Sequence, residues 1–152
     1  MRILIVDDEL PARDRLQRLL AESADCEVVG AVGNGKEALV VCSSSRPDIV
    51  LLDVRMPGLS GIEVARHLSA LAAPPAVIFT TAYDEYALDA FETQAVAYLL
   101  KPVRKEKLVR ALRHAARLSA ARLGALAQSA HIDAWRAECA LLSAIAKPLA
   151  VK

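Results

Sequence analysis

Aromatic residues are scarce, at 4% of 152 residues. A core must therefore be aliphatic, drawn from the Ala, Leu, Val and Ile that dominate a 55% hydrophobic share. The same scarcity leaves no stacking platform for bases. Arg110, Arg113 and Arg117 therefore read as a solvated basic helix face rather than a nucleic-acid surface. Cysteine is equally sparse: Cys26, Cys42 and Cys139 lie far apart with no C-x-x-C spacing. That pattern argues against a disulfide framework and predicts reduced thiols in a cytoplasmic protein. No apolar stretch reaches the roughly 18–20 residues that span a bilayer, and Met1-Arg2 leads straight into a strand-like run instead of a signal peptide. A membrane partner is not expected. His67, His114 and His131 carry no phosphodonor motif and read as solvated helix residues. A large excess of one charge is also missing. The net +1 nevertheless hides an acidic body, −6 over residues 1–102, and a basic remainder, +7 over 103–152.

Short apolar runs alternate with amphipathic stretches. Residues 2–6, 26–32, 48–53, 76–80 and 95–100 read as strands, the first a continuous apolar run of the kind buried on both faces. Between them, helices are predicted from Pro11 with Leu16, Leu19 and Leu20 inside, and over 36–42 behind Asn34 as N-cap. Further helices are predicted over 61–71 and 84–92. A long helix from Arg104 is expected to continue to about Leu123, ahead of Gly124. The polar Ser43-Ser44-Ser45-Arg46-Pro47 is expected to break the second helix. Arg13, Asp14, Arg15 and Arg18 fall mostly on the outer side of the first. Five strands alternating with five helices predict a parallel sheet covered on both faces. The doubly wound order 2-1-3-4-5 places strands 1 and 3 side by side, with a ligand crevice at their carboxyl ends.

Those ends carry the informative residues. Ile3-Leu4-Ile5-Val6 runs into Asp7-Asp8-Glu9, Ile49-Val50-Leu51-Leu52 runs into Asp53, and Ala97-Tyr98-Leu99-Leu100 runs into Lys101-Pro102. Carboxylates gathered in one crevice repel one another and call for a cation or a shifted pKa. A hard divalent ion such as Mg²⁺ takes oxygen ligands and suits this set, whereas zinc or copper would call for His or Cys nearby. Asp53 is a candidate nucleophile toward phosphorus. Phosphoryl transfer needs mainly positioning and charge neutralisation, which Mg²⁺, Lys101 and the hydroxyl of Thr81 would supply. Each part also has a plainer reading: Asp8 as a helix N-cap, Asp53 as a turn residue, Lys101 in a surface ion pair, Thr81 as a β-branched strand residue.

Together, Ile3 to Glu9, Asp48 to Asp53 with Met56-Pro57-Gly58, Thr80-Thr81-Ala82 and Tyr98-Leu99-Leu100-Lys101-Pro102 resemble the receiver domain of two-component response regulators. The resemblance covers about residues 1–120. The stretch Thr81 to Glu92 looks particularly like receivers that precede LytTR-type DNA-binding domains, including alginate-regulator-like proteins. It implies a flavodoxin-like (βα)5 sandwich and a signalling domain rather than an enzyme. It also implies roles. Asp53 would accept a phosphoryl group from a sensor histidine kinase. Asp8, Asp53 and the backbone carbonyl of Arg55 would bind Mg²⁺ (or Mn²⁺), with Asp7 acting through water. Thr81 and Lys101 would contact the phosphoryl group, Lys101 preceding a cis Pro102. Thr81 and Tyr98 would form a switch pair that alters the face of the fourth helix, fifth strand and fifth helix, controlling homodimerisation and transcription.

The expected division is a receiver over 1–121 and a helical tail or linker remnant over 122–152, with DNA reached only through an output domain that the tail is too short to form. Trp135, Cys139, Leu142 and Ile145 make one apolar stripe in that tail, a second possible dimer contact. The alternatives are a stand-alone receiver acting through protein contacts, a receiver used for contacts alone, and a Mg²⁺-dependent phosphohydrolase. The last is disfavoured by Arg at position 55, where such enzymes commonly place an acidic residue, and by the lack of a cap insertion.

Overall fold

A computed structural model of the chain describes residues 1–82 and 95–129. Five strands, β1 (Arg2–Val6), β2 (Glu27–Val32), β3 (Ile49–Asp53), β4 (Ala76–Thr81) and β5 (Ala97–Leu100), form one sheet in the order β2-β1-β3-β4-β5. Every neighbouring pair is parallel. Helices α1 (Leu10–Ala21), α2 (Gly35–Ser45), α3 (Gly61–Ser69) and α4 (Lys105–Ser129) complete the described elements. The fold is therefore the α/β flavodoxin-like sandwich that the alternation of strands and helices predicts. The helix expected over 84–92, His131 and the apolar stripe of the tail lie outside the described residues.

The pleat sorts the aliphatic residues into two cores. Leu4, Val6, Val50, Leu52, Val77 and Phe79 pack on Leu39 of α2 and Val64, Ala65 and Leu68 of α3. Ile3, Ile5, Ile49, Leu51, Ile78 and Leu99 pack on Leu16 and Leu20 of α1 and Leu108, Leu112 and Ala115 of α4. Residues in alternation along β1 and β3 thus serve opposite faces, which is why these strands read as unbroken apolar runs.

Local chemistry sets the helix ends. Asn34 caps α2 by accepting the Glu37 N–H at 2.9 Å, and Ser60 caps α3 by accepting the Glu63 N–H at 3.2 Å. The expected break at Ser43 is not where α2 ends. The helix runs through all three serines, with Ser44 turning its hydroxyl back to the Val41 carbonyl, and stops at Arg46, whose φ of 46° is left-handed. Gly124 likewise does not stop the last helix. One helical glycine costs about 1 kcal/mol relative to alanine, and the helix continues to Ser129. The N-cap of α1 is Glu9, not Asp8, which leaves the Asp8 carboxylate available to the neighbouring acids. No helix among the described residues is long and apolar enough to cross a membrane.

Candidate functional site

Register and pleat bring the acidic ends together. Val6 of β1 lies opposite Leu52 of β3, so the next residues along, Asp7 and Asp53, are neighbours. Asp7 follows Ile3 and Ile5 in alternation, and Asp53 follows Ile49 and Leu51. Both side chains therefore leave the sheet on the α1–α4 side. Lys101 follows Leu99 in the same alternation from the edge strand β5 and reaches inward across β4. Its Nζ lies 2.6 Å from Asp7 Oδ2 and 3.4 Å from Asp53 Oδ2. Asp7 is 0% exposed and Asp53 4%. Asp8 is exposed at the rim, yet one carboxylate oxygen from each of Asp7, Asp8 and Asp53 falls within 4.8 Å of the others.

The backbone around these acids is pinned by the acids themselves and by helix α1. Asp7 Oδ1 accepts the Glu9 N–H at 2.9 Å, which turns the chain into α1. Asp53 Oδ1 lies 3.5 Å from the Arg55 N–H. The loop after Asp53 returns at once: the Gly61 N–H bonds the Val54 carbonyl at 2.8 Å. This approach is so close that a Cβ on Gly61 would sit 2.0 Å from the Asp53 carbonyl oxygen. Gly58 holds the turn of that loop at φ +79°, a left-handed conformation that favours glycine. On the lysine side, the Lys101 N–H bonds the Thr81 carbonyl at 2.7 Å, and the Lys101–Pro102 peptide is cis.

Electrostatics follow from burial. Asp53 is pushed up to about 7, first by burial and then by the charge of Asp7, while Lys101 and the Arg55 N–H pull it partly back. Burial disfavours the Lys101 ammonium, but its hydrogen bond to Asp7 and the charges of Asp53, Asp7 and Glu9 outweigh burial and raise its pKa. Acids held this close, with one carboxyl driven toward its neutral form, have unused capacity for positive charge. Their donors are all oxygens, as a hard divalent cation requires, and the described residues offer no His or Cys in the cluster. The residues present therefore fit Mg²⁺ or Mn²⁺.

Thr81 is fully buried at the end of β4, and Tyr98 is half-buried in β5 against the α2–α3 core. Val77 and Phe79 pack in that core, so Thr81 and Tyr98 belong to one face of the sheet. Three other residues near the site escape a reading of charge patterns. The Arg13 guanidinium donates to the Asp7 carbonyl at 2.6 Å. Arg15 reaches the Val103 carbonyl, from Nη2 at 2.8 Å and Nε at 3.2 Å. Neither is the idle outward-facing arginine that the helical pattern of α1 suggests, and only their position one or two turns after the acids hints at it. Thr80, opposite Asp53 in the β3–β4 register, has a fully buried hydroxyl without a hydrogen-bond partner among the described residues.

Known proteins are similar to this chain in sequence and fold. The profile of the family described as "Response regulator receiver domain" matches residues 3–113. The chain is 54% identical over 127 residues to the "Positive alginate biosynthesis regulatory protein" of Pseudomonas aeruginosa, covering 83% of this chain and 51% of that protein. It is 43% identical over 113 residues to the "Sensory transduction protein LytT" of Bacillus cereus, covering 74% and 46%. The chain thus spans about half the length of the curated relatives it matches. Among solved structures, the response regulatory domain of protein mrkE from Klebsiella pneumoniae superposes with a TM-score of 0.73 at 31% identity, covering 78% of this chain and 98% of that one. These matches set the chain among signalling domains and not among the phosphohydrolases. With its relatives among alginate and LytT regulators, the chain belongs to the response regulator receiver domain family.

Proposed function

We propose that this receiver takes a phosphoryl group at Asp53 and uses it to alter the surface around β5. The observation that supports this best is the convergence of Asp7, Asp8 and Asp53 with the Lys101 ammonium at one sheet edge. An Asp53 carboxylate oxygen attacks the phosphorus of a phosphohistidine on a sensor histidine kinase. The P–N bond breaks, the imidazole leaves with its electron pair and takes up a proton, and an acyl phosphate remains. Asp8, Asp53 and the Arg55 carbonyl would hold Mg²⁺ or Mn²⁺, with Asp7 acting through water. Such an ion would supply the positive charge that the clustered carboxylates and the transferring group call for. Lys101 contacts one of those oxygens and Thr81 donates its hydroxyl hydrogen to another.

Movement of Thr81 toward the phosphoryl group vacates space beside Tyr98, and the two act as the switch pair. β5 is an edge strand with Leu100 43% exposed, and Leu118 of α4 is 46% exposed. This face would carry the change to a second copy of the chain. The relatives named as regulators extend the proposal to a LytTR-type DNA-binding output domain acting on transcription. Receiver and tail would then divide near residue 121, with the kinase met in the cytoplasm. A stand-alone receiver working through protein contacts is the second form of the same reading.

Incubation with Mg²⁺ and acetyl phosphate, followed by intact mass measurement, tests the chemistry. One phosphoryl adduct is expected, lost in Asp53→Ala and on chelation of the metal. Folded protein that takes no label, or labels equally well in Asp53→Ala, overturns the assignment. Rapid turnover of the donor with no trapped adduct points to the phosphohydrolase instead.

A further inference from the structure

Lys101 performs its contact from the end of an edge strand, and the turn that follows is short of backbone ties. The Lys101 N–H is fixed to Thr81, but Pro102 has no N–H to give. Among the described residues, the next backbone bond along the chain is the Leu108 N–H to the Arg104 carbonyl, at the start of α4. Between them, Val103 is buried against the α1–α4 core, and its carbonyl takes the two Arg15 N–H groups at 2.8 and 3.2 Å. A charged donor on a neutral carbonyl is among the stronger protein hydrogen bonds. A second link across this seam, Lys105 Nζ to Glu22 Oε2 at 2.5 Å, joins two side chains that are each more than half exposed and holds little.

We propose that Arg15 is a positioning residue for Lys101: by holding the Val103 carbonyl, it fixes the turn that aims the ammonium at Asp7 and Asp53. This rests on the phosphoacceptor reading above and deepens it. Helix α1 then braces both sides of the site, because Arg13, two residues earlier, holds the Asp7 carbonyl. Anything that shifts α1 moves the acidic loop and the lysine loop together.

The test uses the full chain. Arg15→Ala lowers the initial rate of labelling by acetyl phosphate in saturating Mg²⁺ roughly 5- to 10-fold, somewhat less than the worth of one charge-assisted hydrogen bond because Arg15 acts through Lys101. Arg15→Lys recovers part of that rate. In a Lys101→Met background, Arg15→Ala changes the rate by less than about twofold, because the residue it positions is gone. Hydrogen exchange gives a readout independent of phosphorylation. The Lys101 amide exchanges roughly tenfold faster in Arg15→Ala, while the amides of β1 keep their protection. Unchanged protection at Lys101 overturns the proposal. So does equal loss of protection in β1, the mark of a merely structural role, or a full rate effect persisting in Lys101→Met. A wild-type chain that takes no label refutes the phosphoacceptor reading, while the exchange result still decides the role of Arg15.

Discussion

Replacing Asp53 by asparagine in the metal-free protein should stabilise it, and by more as the pH rises. The Asp53 carboxyl, ordinarily near 3.8, is pushed up to about 7 by burial and by Asp7. Between those values the folded chain holds a proton that the unfolded chain has released. Folding therefore takes up a proton, and stability falls as pH rises through this window. The contribution is intact below about 3.8 and fully lost above about 7. At about 1.4 kcal/mol per pKa unit, the whole shift corresponds to something on the order of 4 kcal/mol. An asparagine side chain has the same shape as aspartate and no charge to bury, so the stability of Asp53→Asn lacks this slope. The gap between Asp53→Asn and wild type should widen by about 2–3 kcal/mol between pH 5 and pH 8.

Urea unfolding of both proteins in EDTA, at matched ionic strength across that range, reads the gap directly, and titrating groups remote from Asp53 cancel in the difference. Adding Mg²⁺ at pH 8 should then narrow it, since an ion bound only by the folded wild type adds about 1.4 kcal/mol at ten times its dissociation constant. A gap that is constant from pH 5 to pH 8, or that Mg²⁺ leaves untouched, refutes the reasoning that burial and Asp7 work against the Asp53 charge.

Lys101→Met removes the cation from a fully buried Asp7 and should destabilise the metal-free protein by about 3 kcal/mol, as a buried ion pair loses one partner; urea midpoints at pH 7.5 give the number, and Mg²⁺ should recover part of it. Gly61→Ala must push the Asp53 carbonyl aside from a 2.0 Å clash, which predicts a loss of roughly 2–4 kcal/mol and impaired labelling of Asp53. Burial pushes the Cys42 thiol up to about 12, whereas Cys26 is half-buried. Iodoacetamide at pH 8 should therefore modify Cys26 well before Cys42 by peptide mass mapping, and equal rates would contradict the packing of α2 on β1.

The sheet order and the meeting of Asp7, Asp53 and Lys101 were legible because they rest on period and sequence position. Unbroken aliphatic runs mark parallel strands, and a strand end is a position in space once the order is known. What a one-dimensional pattern could not show were contacts between residues far apart in the chain. Arg15 and Val103 are 88 residues apart, and an arginine on the outer stripe of a helix looks the same whether its guanidinium meets water or a carbonyl. Gly61 looked like a helix start; its need to lack a side chain appears only where α3 lies against the Asp53 backbone. The serines of α2 have turn-forming composition, but the apolar Ala38, Leu39 and Cys42 buried on β1 keep the helix going past Cys42. Local preference yielded to packing.

The same geometry bears on the switch proposed for this site. Above about pH 7, where Asp53 is ionised, three carboxylates against the Lys101 ammonium leave a formal charge of −2 before any ligand arrives. A divalent cation would neutralise it, and phosphorylation of Asp53 would make it negative again while adding oxygens within reach of Lys101. Every such change acts on an ammonium already shared between two acids, 2.6 Å from one and 3.4 Å from the other. On the proposed reading, moving Lys101 from Asp7 to a phosphoryl oxygen would exchange one charge-assisted contact for another, and a divalent ion among Asp7, Asp8 and Asp53 would keep the acids partnered. Such an exchange supplies only the difference between the contacts. Driving populations from 1:99 to 99:1 takes about 5.5 kcal/mol. A Lys101 contact, at roughly 1.5–3 kcal/mol, therefore falls short alone. On that reading a second group would have to bond the phosphoryl oxygens in the switched state alone, and Thr81, fully buried where β4 gives its carbonyl to the Lys101 amide, is the proposed candidate; its side chain lies on the opposite sheet face and would have to move to do so.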